Sequence, residues 1–177
     1  MVDVSGHLGM ALLWLAGAWV VVEDARTAAT FVLVGVPFGM LPDVDLYLRY
    51  VLPTVKHHGV FHTVLAVVAF AVVLAPVVAF ALRALDARVD DLALPERVRD
   101  DATRFAGVAV LVAGLAHVFA DTLSAPDKAE ALEPFWPLYP HPLGIDVVYY
   151  DDPLVNYGLL VGGVVLNVAL WQWRTSR

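Results

Sequence analysis

Four short stretches of this chain carry side chains that can grip a cation. His7 lies near the start, and Asp43 and Asp45 follow Leu41-Pro42. His57, His58 and His62 crowd into six residues, and His117 stands four residues before Asp121. Imidazole nitrogens with carboxylate oxygens suit zinc and, less well, manganese or iron. The chain has six His and no Cys, so half its imidazoles fall in the middle cluster and no thiolate can join them. Each stretch alone has a plainer reading. His117 and Asp121 share one helix face and could simply hydrogen-bond each other. Asp43 and Asp45 could be a solvated turn or a cap, the three clustered histidines could be surface residues, and His7 could mark a helix entry. Only the set is informative.

The elements that must position these groups are apolar. The chain is 60% hydrophobic and 16% charged, with mean hydropathy +0.72. An ordinary soluble domain is about 25% charged, and one this apolar would expose large sticky patches. The net charge of −7 weighs against a nucleic-acid partner. A hydrocarbon core of about 30 Å needs roughly 20 apolar residues in a helix. Five segments fit that role: Gly6 to Val22, Ala28 to Leu41, Val60 to Leu85, Arg104 to Leu123 and Leu154 to Trp173. The second is short and carries Gly35, Pro37 and Gly39, so it is expected to be kinked or re-entrant. The third contains Pro76, a kink signal. Asp152-Pro153 suits an N-cap followed by proline at the first helical position. The expected fold is one all-α domain over 1–177, a polytopic membrane bundle of four to five transmembrane helices. Asp3 precedes the first apolar run and no basic region does, so that run reads as a membrane helix rather than a signal peptide.

Two loops stand out. Asp86 to Thr103 is charged and expected to be solvated. Ser124 to Pro153 holds six prolines together with Phe135, Trp136, Tyr139, Tyr149 and Tyr150. It can serve as an interfacial aromatic belt, as a cover for the site, or as both.

If all five segments cross, the candidate ligands meet at one membrane face. His7 opens the first helix, Asp43 and Asp45 follow the second, and His57, His58 and His62 open the third. His117 and Asp121 close the fourth, and Asp151 and Asp152 precede the fifth. A re-entrant second segment would instead send His7 to the opposite face. Basic residues set the orientation. The face opposite the cluster carries Arg26, Arg83, Arg88, Arg97, Arg99, Arg104, Arg174 and Arg177, whereas the cluster's own face carries Arg49, Lys56 and Lys128. The positive-inside rule then puts the cluster on the extracytoplasmic side of the plasma membrane.

The order of these motifs resembles that of the membrane-bound metal-dependent hydrolases often called YdjM-like. That family's pattern is an early His, then Leu-Pro-Asp-x-Asp, His-Arg-Gly-x-Thr-His-Ser, His-x-x-x-Asp at a helix end, and Trp-Pro. The matching residues are His7, Leu41-Pro42-Asp43-Val44-Asp45, His57-His58-Gly59-Val60-Phe61-His62-Thr63, His117 to Asp121, and Trp136-Pro137. The match covers most of the chain in the correct order. His58 stands for Arg, Phe61 for Thr and Thr63 for Ser, and the change at His58 leaves the substrate class open. The order Asp, His, His-x-x-x-Asp also looks like that of zinc-dependent phospholipases C and related single-strand nucleases, which suggests that Asp121 bridges two metals.

The resemblance implies a divalent metal, zinc in one to three ions or else manganese or iron. The metal ligands would be His7, Asp43, His57, His62, His117 and Asp121, with Asp45 and His58 as catalytic candidates. Asp45 would orient a ligand or act as base. The expected chemistry is hydrolysis of a phosphoester or ester, with a membrane lipid head group or a small molecule as substrate. The alternatives are an ion or small-solute transporter, which would spread polar groups through the membrane depth, and a non-catalytic scaffold whose metal staples helix ends.

Overall fold

The computed structural model describes residues 2–89, 94–126, 128 and 130–177, and all the site candidates lie within them. Parts of both notable loops, at 90–93, 127 and 129, fall outside. The regular structure is helical, in eight α-helices among the described residues: α1 (Val4–Leu15), α2 (Ala18–Val21), α3 (Ala25–Gly35), α4 (Asp45–Leu48), α5 (Val64–Asp86), α6 (Glu96–Asp100), α7 (Ala102–Thr122) and α8 (Pro153–Thr175). Tight 3₁₀ turns at Val36–Met40 and Pro42–Val44 join α3 to α4, and another at Val60–His62 leads into α5. Five stretches are long and apolar enough to cross a membrane: Val4–Val21, Ala25–Leu48, Val64–Asp86, Ala102–Thr122 and Pro153–Thr175.

The second stretch is bent as expected, and it runs on rather than doubling back. Pro37 and Pro42 sit at the starts of its two 3₁₀ turns, where a missing N–H costs least. All five stretches differ in their bounds from the sequence reading, the second most, since it runs on from Leu41 to Leu48. The first crossing is interrupted at Ala16–Gly17, so it splits into α1 and α2. The third helix begins at Val64, because the Thr63 hydroxyl caps it by accepting the N–H of Ala66 at 3.0 Å; His62 therefore lies in the turn ahead of the helix. α5 continues past Pro76. Asp152 caps α8 through the N–H groups of Leu154 and Val155, with Pro153 at the first position. The charged loop after α5 is not wholly solvated. It contains α6, and Leu94 and Val98 are buried against Leu82 and Phe105.

In lipid, apolar surface gives helices little reason to associate, so close backbone approach has to hold them. α7 lies at the centre, touching α1, α3 and α5, while α8 packs mainly on α1. Small residues line these contacts. A Cβ on Gly9 would come within 2.4 Å of the Leu159 and Leu160 backbone, and one on Gly114 within 2.7 Å of Val67. The outer faces stay apolar and exposed, as at Val72, Val73 and Phe80 on α5 and Val161 and Val165 on α8. That is the surface a bilayer covers.

Candidate metal centre

The ends of α1, the bent second crossing, the turn before α5 and the last turns of α7 converge. His7 stacks on His117 with ring centroids 3.7 Å apart. Its Nε2 lies 3.4 Å from Asp121 Oδ1. The other Asp121 oxygen, Oδ2, faces His117 Nε2 at 3.2 Å, His62 Nε2 at 3.6 Å and His58 Nε2 at 3.8 Å. Asp43 Oδ1 approaches the same two nitrogens, His62 Nε2 at 3.3 Å and His117 Nε2 at 3.5 Å. His62 Nε2 and His117 Nε2 are themselves 3.2 Å apart. His7, Asp45, His62 and His117 have no exposed surface, and Asp43 and Asp121 have almost none. Since His7 meets His117 and Asp121 directly, the second segment crosses to the same end as the first helix began, and the re-entrant alternative is set aside.

The other faces of the imidazoles fix which nitrogen points inward. His117 Nδ1–H donates to the Gly39 carbonyl at 2.7 Å, which leaves a lone pair on Nε2 of the neutral ring. His58 Nδ1–H donates to the Glu130 carbonyl at 2.6 Å, with the same result. Asp45 turns away from the centre of the cluster. Its Oδ1 accepts from His57 Nδ1 at 2.9 Å, and its Oδ2 lies 3.2 Å from His62 Nδ1. A carboxylate behind an imidazole is the usual outer support of a metal-binding histidine, holding tautomer and ring orientation. Asp45 thus has the contacts of the orienting group that the sequence offered as one of its two roles.

Burial holds the His58 imidazole low, at about 4, so the ring is neutral. Burial also acts to lower His62, but Asp43 and Asp45 outweigh it and raise that group above its ordinary value. His58 adopts a left-handed backbone, φ 58°. Such a conformation costs a residue with a Cβ about 1–3 kcal/mol and is concentrated at functional sites.

A divalent cation fits what these residues present. Among the described residues, eight buried side-chain atoms have no hydrogen-bond partner: His7 Nδ1 and Nε2, Asp43 Oδ1, Asp45 Oδ2, His58 Nε2, His62 Nδ1 and both oxygens of Asp121. All belong to this cluster. Unpaired buried polar atoms cost about 1–3 kcal/mol each, and a carboxylate or imidazole gathered with others in this way is what a cation would satisfy. Among the described residues three groups have the spacing of a metal site: His7, His117 and Asp121; and, sharing His57 and His62 between them, Asp43, Asp45, His57 and His62, and His57, His58 and His62.

Not every polar residue expected at this end joins the cluster. Asp151 pairs with Lys128 at 3.9 Å, and Asp152 caps α8. Three contributors gave no sequence signal. The carbonyls of Gly39 and Glu130 orient imidazoles, and any residue has a carbonyl. The third is Asn156 of α8, whose Oδ1 accepts the Asp3 N–H at 3.1 Å and whose Nδ2 donates to the Tyr150 carbonyl at 2.7 Å. It ties α8 to the turn that starts α1, and so to His7.

The long loop after α7 packs over the site end of the bundle, and its aromatic side chains face outward. Leu132 is buried against Val67 and Val118, and Pro134 accepts the N–H of Val64 at 2.8 Å, so the loop closes over the ends of α5 and α7. Phe135, Trp136, Tyr139 and Tyr149 remain exposed, as interfacial aromatics do. Between loop and cluster lies a cavity of about 340 Å³, lined by His58, Lys56, Thr63, Glu130, Glu133 and Trp136.

Fold and site together define an integral membrane protein with a buried His/Asp cluster able to hold a metal at one end of its bundle. The chain belongs to the YdjM inner membrane protein family, which it matches over residues 1–177. That family is assigned to the metal-dependent hydrolases by inference. Neither the curated proteins nor the solved structures give a significant match.

Proposed function

We propose that this protein is a metal-dependent hydrolase acting at the extracytoplasmic membrane surface, on a phosphoester or ester of a lipid head group or of a small molecule that reaches that surface. The observation that carries the proposal is the set of unpaired buried nitrogens and oxygens, all of them on residues of one His/Asp cluster. His7, Asp43, His57, His62, His117 and Asp121 would hold the metal, as one to three ions, with zinc the best match to this nitrogen-rich set. A bound divalent ion supplies Lewis acidity and lowers the pKa of water toward about 7. The chain's own residues supply the rest. Asp45 holds His57 and His62 in register, and Asp121 presents one oxygen to His7 and the other to His58, His62 and His117. His58 stands between the cavity and the rest of the cluster and carries an unprotonated Nε2, so it is placed to take a proton from water as the water oxygen bonds to the phosphorus or carbonyl carbon, and to return that proton to the oxygen that leaves when the ester bond breaks. Lys56 at the cavity wall offers a positive charge for a substrate phosphate. The cavity's position against exposed aromatic residues supports a substrate drawn from the membrane surface. The excess of arginine at the far end of the bundle supports the outward orientation.

Elemental analysis of purified protein, joined to a hydrolase screen on lipid and phosphodiester substrates, tests this reading. His117→Ala and Asp43→Ala should each lower bound metal while helicity is retained. Unchanged metal stoichiometry in both variants would count against the proposal. Metal without hydrolysis of any substrate, together with ion flux in proteoliposomes, would point instead to transport.

A further inference from the structure

A second concavity lies at the other end of the bundle, away from the His/Asp cluster. It is a crevice of about 700 Å³ between α1–α2, α3 and the first half of α7. Its walls are apolar: Trp14, Val21, Phe31, Phe105, Val108 and Val112. Its mouth is not, for Arg97 and Arg104 stand there. From Arg104 to Val112 the groove follows α7 for about 12 Å, close to the roughly 15 Å depth of one leaflet's hydrocarbon. Gly17 lies on the floor between the walls, where a Cβ would meet only the Trp14 carbonyl oxygen at 3.4 Å.

We propose that this crevice binds an anionic phospholipid, with the phosphate on Arg97 and Arg104 and one acyl chain in the groove. Charge and shape both support that occupant. The walls are too apolar for a solvated ligand, and they face the bilayer. Arginine's planar fork matches phosphate oxygens in a bidentate way, and basic pockets between transmembrane helices on the cytoplasmic side hold acidic head groups. The acidic neighbours compete only weakly for the two arginines. Asp101 accepts the backbone N–H of Arg104 at 3.3 Å as the cap of α7. Glu23 meets Arg97 only at 4.0 Å, with both side chains largely exposed, and such a pair contributes little. The Arg104 guanidinium has no carboxylate partner among the described residues. The site is independent of the hydrolase reading, since none of its residues touches the cluster.

The test uses the full chain, extracted in mild detergent from membranes containing both phosphatidylglycerol and phosphatidylethanolamine, with the co-purified lipids counted. The wild type should retain phosphatidylglycerol preferentially. Arg97→Gln with Arg104→Gln should lower that preference by about fivefold for each arginine removed, while some lipid remains. Gly17→Leu, whose Cβ would meet nothing nearer than the Trp14 carbonyl oxygen at 3.4 Å, should fill the groove and lose both lipids; Val108→Trp provides a second filling variant. Equal retention of the two lipids by the wild type, or an unchanged preference in the double arginine variant, would overturn the proposal.

Discussion

The Nδ1 of His117 donates to the carbonyl of Gly39 at 2.7 Å, tying the end of α7 to the bent second crossing. The contact exists because residue 39 has no side chain: a Cβ there would sit 2.7 Å from the Cβ of Ala11. Gly39→Ala should push the crossing away from α1 and release the ring. Outer groups that orient a metal-binding histidine are typically worth roughly 10–100-fold in affinity. A loss in that range, read by zinc titration with circular dichroism unchanged, is the expected outcome.

Asp45 meets His57 and His62 on their outward-facing nitrogens. Asp45→Asn keeps the volume and removes the charge. If Asp45 orients ligands, metal affinity should fall about 10–100-fold and turnover at saturating metal should largely recover. If it serves as a base instead, turnover falls while metal binding holds. Measuring both quantities on one preparation separates the roles.

The Asp121 carboxylate is shared between His7 on one side and three other imidazoles on the other. Asp121→Ala should therefore reduce bound metal more than His7→Ala does. Chelation should also lower the thermal midpoint of the wild type and have little effect on Asp121→Ala. A ligand at a hundred times its dissociation constant stabilises by about 2.7 kcal/mol. Equal midpoints for wild type with and without chelator would be the contrary result.

Asn156→Leu nearly conserves volume but removes the acceptor of the Asp3 N–H and the donor to the Tyr150 carbonyl. Loss of these two hydrogen bonds should cost about 1–3 kcal/mol, visible as a lower thermal midpoint in detergent. Metal affinity should fall less than in Asp45→Asn, since Asn156 reaches the cluster only through the placement of α1.

Asp24 caps α3 by accepting the Thr27 N–H at 2.7 Å and the Thr27 hydroxyl. The hydroxyl bond is the largest cause holding its carboxyl below the usual value, with burial opposing it. A depressed folded pKa contributes stability that is present above the unfolded value of about 3.9 and is lost as pH falls through the folded one. Asp24→Ala should cost about 1 kcal/mol near neutral pH. Thermal melts across pH should show the gap between wild type and variant closing below about pH 4.

The five crossings were legible because uninterrupted apolar length is a strong signal. Asp152-Pro153 announced the start of α8 for an equally local reason, since capping needs only neighbouring residues. The grouping of His7 with His117 was legible only on condition that the second segment crossed, and the sequence offered both options through Gly35, Pro37 and Gly39. What decides it is tertiary: Gly39 against Ala11 and the Gly39 carbonyl on His117. The break at Ala16–Gly17 was illegible because both residues are compatible with a continuous helix. The role of Asp45 was legible only as a pair of options, because the choice depends on which imidazole nitrogen faces it. The contribution of Glu130 could not be read at all, since it acts through its carbonyl.

The cluster draws on residues from 7 to 121 and takes none from α8. During synthesis, α1 and the bent crossing therefore enter the bilayer carrying His7, Asp43 and Asp45 before α7 has emerged to meet them. Ionisable groups near hydrocarbon are costly, so the early hairpin is the least stable stage of biogenesis. Arrival of α7 brings His117 and Asp121 up to these groups. On the proposed reading, completion of the helix bundle and uptake of a cation would then be coupled events.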